Sequence, residues 1–556
     1  MRRGSVVLPL LGVAAVLAAG YAVVRPTNFS GWDEWLVIDL TSRGVVGLPF
    51  ENRPLSLLFN LPGSLLTPDG LAGFWIVHGL YLWTAAACVW WLVRRVVPER
   101  PRLSFLAAAI AATWAPLDRM RLDPVLLSNY SGATAATWLA LVLLGEGFLR
   151  RRAWLVVVGG LLAVVAVRAL ESTAALVVAA PLLLWVLPRS ASAASRTRFT
   201  LGWLALVAPA LVVASRPLWP GQPASYQLSG LGFDPRPLPV LLRLGAQLRD
   251  QLLPLLNTPT AELLAVPVVV AAGSFAAVWA LLAPGLADRA DTGPTGAAPT
   301  DAAPTDAAPV RSVAARLLPL GLAALVLGHA VLVLSPSMRS PQRMQILSAP
   351  GAGLFLCGLC SLLAAVVPRV GWRLLLPLAG AAVVAMGTAR TVAMQRDWDS
   401  RSFWPAQRAT LAGLTRAAPG LAPGTLVLLV DEDGSWPASF TFRHAVDYLY
   451  GPSVTGAVWS AEPFLYPFRF GPDGILTVPE PSIQSAWHAP VTLHPYSAVV
   501  VVRAGVGGAA ELVDSWPAAL PALPGGAQYS PRMSIRQAPL RPQRAILETP
   551  PPLGGR

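Results

Sequence analysis

The sequence has 556 residues, of which 54% are hydrophobic and only 13% are charged, and its mean hydropathy is +0.56. Soluble globular proteins carry about 25% charged residues, so this composition excludes an ordinary soluble fold, and it excludes disorder over most of the chain. The net charge is +13 and all 42 basic residues are arginine, which excludes sites that need a lysine amine. Because the arginines lie between apolar runs, nucleic acid is not an expected partner.

Apolar runs long enough to cross the hydrocarbon core of a membrane recur through the first 390 residues. They predict a polytopic α-helical membrane protein with about eleven transmembrane helices. The expected spans lie near 5–24, 71–93, 103–117, 131–149, 153–170, 173–187, 199–215, 261–286, 313–335, 346–367 and 372–390. We interpret the first span as a retained anchor, because further membrane helices follow it directly.

Arginine marks alternate loops between these spans, and the positive-inside rule assigns such loops to the cytoplasm. The residues concerned are Arg2, Arg3, Arg94, Arg95, Arg100, Arg102, Arg150, Arg151, Arg152, Arg189, Arg196, Arg198, Arg369 and Arg373. We therefore expect a multi-pass protein of the plasma (inner) membrane with a cytoplasmic N-terminus and an extracytoplasmic C-terminal region.

The amino-acid composition changes at two places along the chain. Residues 287–310 contain a repeated APTDA and predict a flexible cytoplasmic linker within a transmembrane domain that covers residues 1–390. Residues 391–522 predict a small α/β extracytoplasmic domain, and the Pro/Arg-rich tail at 523–556 is expected to be irregular. The strands of the α/β domain are expected at 426–430 and 498–502, and its helices near 402–417 and 437–449.

Acidic side chains are concentrated in the loops assigned to the outer face. They are Asp33, Glu34, Asp39, Glu51, Asp118, Asp123 and Glu171. Carboxylates close to hydrocarbon are costly unless they are paired, bound to a metal or facing water. If the protein has an active site, it is therefore expected on the outer face.

The first outer loop contains the adjacent acids Asp33 and Glu34, flanked by Trp32 and Trp35. Such a pair can provide a general base together with a second carboxylate that orients the nucleophile or holds a metal. An interfacial acidic turn with no chemistry remains an alternative. Further on, Arg53 heads an amphipathic stretch, where it can bind a phosphate or simply extend its charge to the membrane surface.

The order of these features resembles the GT-C class of membrane glycosyltransferases. A short first helix is followed by an outer loop with an acidic pair, an Asn-Arg-Pro-Leu segment and many further spans. The subset with the most similar motifs comprises protein O-mannosyltransferase-like and tetratricopeptide-linked O-mannosyltransferase-like proteins. Leu170-Glu171-Ser172 is similar to their Lys-Glu-Ser/Thr signature, although Leu170 stands where the lysine would be.

This resemblance implies transfer of a sugar from a polyprenyl-phosphate donor to a glycan, lipid or protein acceptor on the extracytoplasmic face. Asp33 would be the general base, and Glu34 would assist it or bind a metal. Candidates for contacts to the donor and its phosphate are Arg53, Arg119, Arg121, Glu171, Arg339 and Arg343. Asp33, Asp118 and Asp123 would complete a Mg²⁺ or Mn²⁺ site. No nucleotide cofactor is expected, because no strand–GxGxxG–helix unit is present.

Two other functions stay open. An O-antigen-ligase- or polymerase-like enzyme would centre on the large loop at 216–260, which contains Arg216, Arg236, Arg243 and Arg249. A non-catalytic transporter or scaffold is the third possibility. A transporter should place ionisable groups near the membrane midplane, whereas these charges cluster at the expected outer boundaries.

Overall fold

The computed structural model describes residues 4–25, 33–48, 53–98, 100–114, 123–187, 192–216, 235–253, 260–282, 307–334, 345–366, 374–537 and 544–548. Most of the expected linker at 287–310 and the end of the tail lie outside these ranges.

Residues up to 401 are almost entirely helical within the described ranges. The helices are α1 (Gly4–Tyr21), α2 (Glu34–Ser42), α3 (Leu61–Leu66), α4 (Ala72–Val96), α5 (Pro101–Thr113), α6 (Pro124–Leu149), α7 (Ala153–Ala169), α8 (Ala174–Ala179), α9 (Leu183–Val186), α10 (Ala193–Ser215), α11 (Pro237–Leu252), α12 (Val266–Leu281), α13 (Ala307–Val333), α14 (Gln345–Val366) and α15 (Leu376–Arg401).

Six of the described helices are long and apolar enough to cross a membrane: Ala72–Val96, Pro124–Leu149, Ala193–Ser215, Ser312–Val331, Gln345–Ala365 and Leu376–Arg401. Shorter apolar helices occupy Val6–Tyr21, Pro101–Thr113, Ala153–Ala169, Glu171–Val186 and Val266–Leu281. The chain is therefore a multi-pass membrane protein. The count of about eleven spans stays a prediction, because these shorter helices do not reach the length of a full span.

The chain divides into two compact units. The first, which we call the helical unit, comprises Met1–Val23, Gly79–Arg121 and Tyr130–Arg396. The second, the mixed unit, comprises Val24–His78, Leu122–Asn129 and Asp397–Arg556. The first outer loop thus belongs to the same unit as the C-terminal region.

Glycine allows close helix packing inside the helical unit. A Cβ atom added to Gly351 of α14 would lie 2.6 Å from the backbone nitrogen of Leu325 in α13, and one added to Gly353 would lie 2.6 Å from the carbonyl oxygen of Ala107 in α5. Real Cβ atoms do not approach other atoms so closely. Small residues let helix backbones meet and gain van der Waals contact where lipid supplies no hydrophobic drive.

The C-terminal part of the mixed unit combines helices and strands. Its helices are α16 (Trp404–Ala417), α17 (Ser439–Tyr450), α18 (Pro481–Trp487) and α19 (Ala545–Glu548). Its strands are β1 (Gly420–Leu421), β2 (Leu426–Asp431), β3 (Thr455–Val458), β4 (Phe468–Phe470), β5 (Ile475–Thr477), β6 (Thr492–His494), β7 (Val499–Ala504), β8 (Ala510–Leu512) and β9 (Ile535–Arg536).

A four-stranded sheet of order β3-β2-β7-β8 forms the centre of this region. Strand β2 pairs in parallel with both β3 and β7, while β8 is antiparallel to β7. Parallel strands are covered on both faces, which explains why β2 and most of β7 are continuous buried apolar runs. The strands β4-β5-β6 form a separate antiparallel sheet, and β1 pairs with β9.

Alternation along the strands separates two apolar cores. Val427, Leu429, Val500 and Val502 lie in the core that also contains α16, α17 and the apolar residues of α2. Leu426, Leu428, Val499 and Val501 lie in the other core, with Ile475 of β5. Helix α2 of the first outer loop is therefore part of the hydrophobic core of the C-terminal region.

The expected helical membrane architecture with a small strand-containing C-terminal domain is confirmed. Strands expected at 426–430 and 498–502 are β2 and β7, and the helices expected near 402–417 and 437–449 are α16 and α17. Within the tail expected to be irregular, β9 pairs with β1.

Candidate functional site

The acidic pair of the first outer loop stands at the beginning of α2. Asp33 occupies the N-cap position and is half-buried, whereas Glu34 is the first residue of the helix and has no exposed surface. Trp35 beside it is also fully buried. The two carboxyl groups therefore lie in different environments, although they are neighbours in sequence.

Glu34 faces a second buried acid, Asp123. The Asp123 side chain also has no exposed surface, and its Oδ1 accepts hydrogen bonds from the backbone N–H groups of Val125 and Leu126 at 3.1 and 3.0 Å. These bonds cap the first turn of α6, where donors are otherwise unsatisfied.

Burial raises the pKa of Asp123 well above its usual range, and the charge of Glu34 and a hydrogen bond to it raise the pKa further. The two backbone donors oppose this shift. Two carboxylates in a low-dielectric environment cannot both ionise readily, so the proximity of Glu34 favours the neutral form of Asp123. The oxygen atoms of such a pair also fit a hard divalent cation.

Asn60 fixes the segment that carries Asp123. Its fully buried side chain donates from Nδ2 to the carbonyl oxygen of Val125. Leu57, Leu71, Phe74 and Val125 are buried in one apolar cluster of the mixed unit. This apolar packing removes the start of α6 from water.

The other expected site residues fall into three groups. Arg53 is half-buried in the mixed unit, where its carbonyl oxygen accepts from Ser56 in a turn at 3.1 Å. Glu171 is half-buried in the helical unit, in a short 3₁₀ turn directly after α7. Asp118, Arg119, Arg121, Arg339 and Arg343 lie outside the described residues. Of the expected residues, the structure brings together Glu34 and Asp123.

The expected metal site of Asp33, Asp118 and Asp123 includes one residue outside the described ranges. Among the described residues, the buried partner of Asp123 is Glu34. Glu34 begins the helix whereas Asp33 precedes it, so the two side chains leave the backbone in different directions.

A second buried cluster in the mixed unit joins α2 to α17. Oδ2 of Asp39 lies 2.7 Å from Nδ1 of His444, and both side chains are 1% exposed. Nε2 of His444 lies 3.2 Å from the hydroxyl oxygen of Tyr466. Asp39 also pairs with Arg43, and Asp447 pairs with Arg443 at 3.0 Å.

Asp39, His444 and Asp447 offer ligand atoms within 4.8 Å of one another, which is the arrangement of a metal site. Both nitrogen atoms of His444 are engaged, however, and two arginines balance the charges of the two carboxylates. A divalent cation would add charge beside these guanidinium groups. The cluster therefore fits a charge-balanced network better than a metal centre.

Sequence reasoning missed the role of His444. Asp39 was one of several outer-loop acids, and His444 lies 405 residues further along the chain. The only local signals are the helical spacings of Asp39 with Arg43 and of Arg443 with Asp447, each an i,i+4 pair.

The loop at 216–260 is the expected site of the ligase-like alternative, and the structure describes its residues 235–253. There the guanidinium group of Arg243 donates to the carbonyl oxygen of Val333 at 2.8 Å, and Arg249 pairs with Asp250. Gln251 at the end of α11 contacts His329, whose Nε2 lies 2.7 Å from the Gln251 Oε1 and 2.9 Å from the Ser348 hydroxyl. This cluster is buried and polar but carries no carboxylate among its described members.

The helical unit also contains an apolar cavity of about 370 Å³. Leu92, Trp138, Leu176, Leu183 and Leu320 are among the side chains that line it, together with Arg316. A cavity with this lining suits a hydrocarbon chain.

No family model matches the sequence, and no curated protein matches it. Among solved structures, the crystal structure of ArnT from Cupriavidus metallidurans in the apo state is similar over 78% of this chain and 84% of that chain, with 16% sequence identity and a TM-score of 0.36.

Proposed function

We propose that the protein is a GT-C-type membrane glycosyltransferase that moves a sugar from a polyprenyl-phosphate donor to an acceptor hydroxyl on the extracytoplasmic face. The observation that carries the proposal is the fully buried pair of carboxyl groups of Glu34 and Asp123 next to Asp33. Carboxyl pairs whose pKa values are pushed apart are typical of general acid–base sites. The motif resemblance to O-mannosyltransferase-like proteins supplies the class of donor.

The proposed reaction is a displacement at the anomeric carbon of the donor. The acceptor oxygen forms a bond to that carbon, and the bond from the carbon to the phosphate oxygen breaks, so that its electron pair leaves with the polyprenyl phosphate. The acceptor proton passes to the Asp33 carboxylate. Asp33 is the better base of the sequence pair because it is half-buried, while Glu34 is already committed to Asp123.

The Glu34–Asp123 pair would support Asp33 by holding a proton, or a Mg²⁺ or Mn²⁺ ion in its place, beside the reacting atoms. A cation there would supply positive charge for the departing phosphate. Arg53, Arg121, Arg339 and Arg343 are the proposed phosphate contacts, and Glu171 is a proposed contact to the substrate. Guanidinium groups bind phosphate oxygens in pairs and keep their charge at any physiological pH.

The apolar cavity of the helical unit supports a donor with a long hydrocarbon chain. We place the N-terminus in the cytoplasm and the mixed unit outside, in the plasma (inner) membrane, because the arginine-rich loops alternate with the acidic ones. The acceptor then has to be a glycan, lipid or protein hydroxyl exposed on the outer face.

The test uses purified protein in vesicles with a panel of radiolabelled polyprenyl-phosphate hexoses and pentoses and a hydroxyl acceptor. We expect Asp33→Asn to lower turnover by about 10²–10⁴-fold, the usual contribution of a general base, with donor binding retained. Glu511→Gln is the matched control, because this acid of the mixed unit is 71% exposed. A wild-type protein that releases no polyprenyl phosphate from any donor would contradict the proposal. A wild-type rate in Asp33→Asn would shift the site to the loop at 216–260.

A further inference from the structure

We infer that the contact of His444 with Asp39 is a positioning element, through which the C-terminal part of the mixed unit holds α2 and thereby aligns Glu34 with Asp123. His444 and Asp39 touch neither donor nor acceptor in this scheme. The inference deepens the proposed function and rests on it.

Helix α2 is held by the protein core along almost its whole length. Every residue from Glu34 to Thr41 is buried. The Trp35 ring lies 5.9 Å from the Trp404 ring and 6.3 Å from the Tyr448 ring, measured between centroids. Apolar packing keeps the helix in place, but it is non-directional, so it sets the position of polar atoms less sharply than hydrogen bonds do.

Two buried polar contacts fix the position and the rotation of α2. Near the N-terminal end, the Trp35 indole N–H donates to the Gln407 side-chain oxygen of α16 at 3.0 Å. Near the C-terminal end, Asp39 contacts His444 of α17 at 2.7 Å. A helix anchored at two points, against two different helices, can neither slide nor rotate without breaking one of them.

The hydrogen-bond pattern fixes the orientation of the His444 ring. An Asp39 carboxylate can only accept, so Nδ1 of the imidazole carries the proton. Nε2 lies 3.2 Å from the Tyr466 hydroxyl oxygen, within hydrogen-bond distance. Both ring nitrogens are thus engaged, one with Asp39 of α2 and the other with Tyr466.

The distance from this anchor to the acidic pair is short. Asp39 follows Glu34 by five residues, which is about 7.5 Å along a helix that rises 1.5 Å per residue. A helix of this length moves as one body, so a shift at Asp39 moves the Glu34 carboxyl relative to Asp123. Asp33 caps the same helix and moves with it, and misplacement of a reacting group by 1 Å can cost about 10²-fold in rate.

Substituting His444 by asparagine or by glutamine tests the two ring nitrogens separately. In His444→Asn the amide nitrogen stands near the position of Nδ1 and can donate to Asp39, whereas in His444→Gln it stands near the position of Nε2. We expect His444→Gln to lower kcat by about 10²-fold without raising KM for the donor, and His444→Asn to restore most of this loss.

His494 provides a matched control in the same unit. It is fully buried, its Nδ1 lies 2.7 Å from the Gly424 carbonyl oxygen and its Nε2 lies 3.2 Å from the Thr477 hydroxyl, but it belongs to the β4-β5-β6 sheet. His494→Gln should lower the unfolding temperature as His444→Gln does and leave kcat unchanged. Equal losses of kcat in the two glutamine variants would show a general effect of stability and overturn the inference.

A readout without turnover separates this inference from the proposed function. The readout is hydrogen–deuterium exchange of the backbone amides of α2, which reports how firmly the helix is held. We expect His444→Gln to speed this exchange and His494→Gln to leave it unchanged. Unchanged exchange of α2 in folded His444→Gln overturns the positioning role whether or not the wild type transfers a sugar. If His444→Gln does not fold, Gln407→Met tests the other anchor with the same two measurements.

Discussion

Trp35 and Gln407 are 372 residues apart in the chain, yet the Trp35 indole N–H donates to the Gln407 side-chain oxygen at 3.0 Å within the protein core. The contact makes the first outer loop and the C-terminal region parts of one compact unit. The position of the acidic pair therefore depends on residues of the C-terminal region, such as Gln407.

The raised pKa of Asp123 predicts a pH dependence of stability. The folded protein binds a proton at Asp123 that the unfolded chain has released, so the free energy of unfolding falls as pH rises from about 4, the ordinary pKa of an aspartate, up to the raised pKa of the folded state. Asp123→Asn should flatten this part of the curve. The measurement is the unfolding temperature in detergent from pH 4 to 9. An unchanged slope in the variant would show that the proton is held elsewhere.

A divalent cation that replaces this proton should stabilise the protein. Binding to the folded state alone raises its stability with ligand concentration, and metal binding to carboxyl groups competes with protons. We expect MnCl₂ or MgCl₂ to raise the unfolding temperature more at pH 8 than at pH 6, and Asp123→Asn to remove the effect. An equal rise in wild type and variant would place the ion at another site.

Asn60 is predicted to contribute to the stability of the mixed unit. Asn60→Ala removes a buried side-chain hydrogen bond to the carbonyl oxygen of Val125, and the net contribution of such a bond is about 0.5–1.5 kcal/mol. Thermal unfolding compared with Ser485→Ala, which removes an exposed hydroxyl contact, measures this difference. Equal unfolding temperatures for the two variants would contradict the prediction.

The close packing of α13 with α14 predicts opposite responses at two glycines. Gly351→Val places atoms against the backbone of α13 and should destabilise the protein by about 1–3 kcal/mol, as overpacking usually does. Gly273→Ala in α12 meets no atom within 4 Å and should be neutral or stabilising by up to about 1 kcal/mol, because alanine favours helices. Detergent unfolding assays distinguish the two. Similar destabilisation by both changes would argue against close contact of α13 with α14.

The arginine pattern predicts the orientation of the chain in the membrane. A phosphatase that is active only outside the cytoplasm, fused after residue 400, should be active, and the same fusion after residue 151 should be silent. The reason is that Arg150, Arg151 and Arg152 mark a loop expected in the cytoplasm. The reverse pattern would place the acidic pair in the cytoplasm and exclude a donor presented on the outer face.

Sequence reasoning worked best where local chemistry decides the structure. Continuous β-branched runs identified β2 and β7 to within a residue or two, because a strand buried on both faces can hardly be built from anything else. The acidic pair and Asp123 were also recognisable, since carboxylates are rare in so apolar a chain. Which acid would face Asp123 was not, because adjacent residues at the start of a helix point in different directions.

The contacts that hold α2 could not be predicted from the sequence. His444 stands in an ordinary amphipathic helix, and nothing in its neighbours points to Asp39. Pairings over such separations follow from the complete fold. Similarly, the sequence analysis predicts a loop at Glu34, whereas the structure has the helix α2 there, buried against α16 and α17.

The division of the mixed unit among three stretches of chain has a consequence for biosynthesis. Asp39 leaves the ribosome 405 residues before His444, which at about 5–20 residues per second corresponds to roughly 20–80 s. During this interval the apolar side chains of α2 have been made, but the helices that bury them have not. The apolar face of α2 therefore stays without part of its cover until α17 is made, and a chain truncated before α17 would lack this cover permanently.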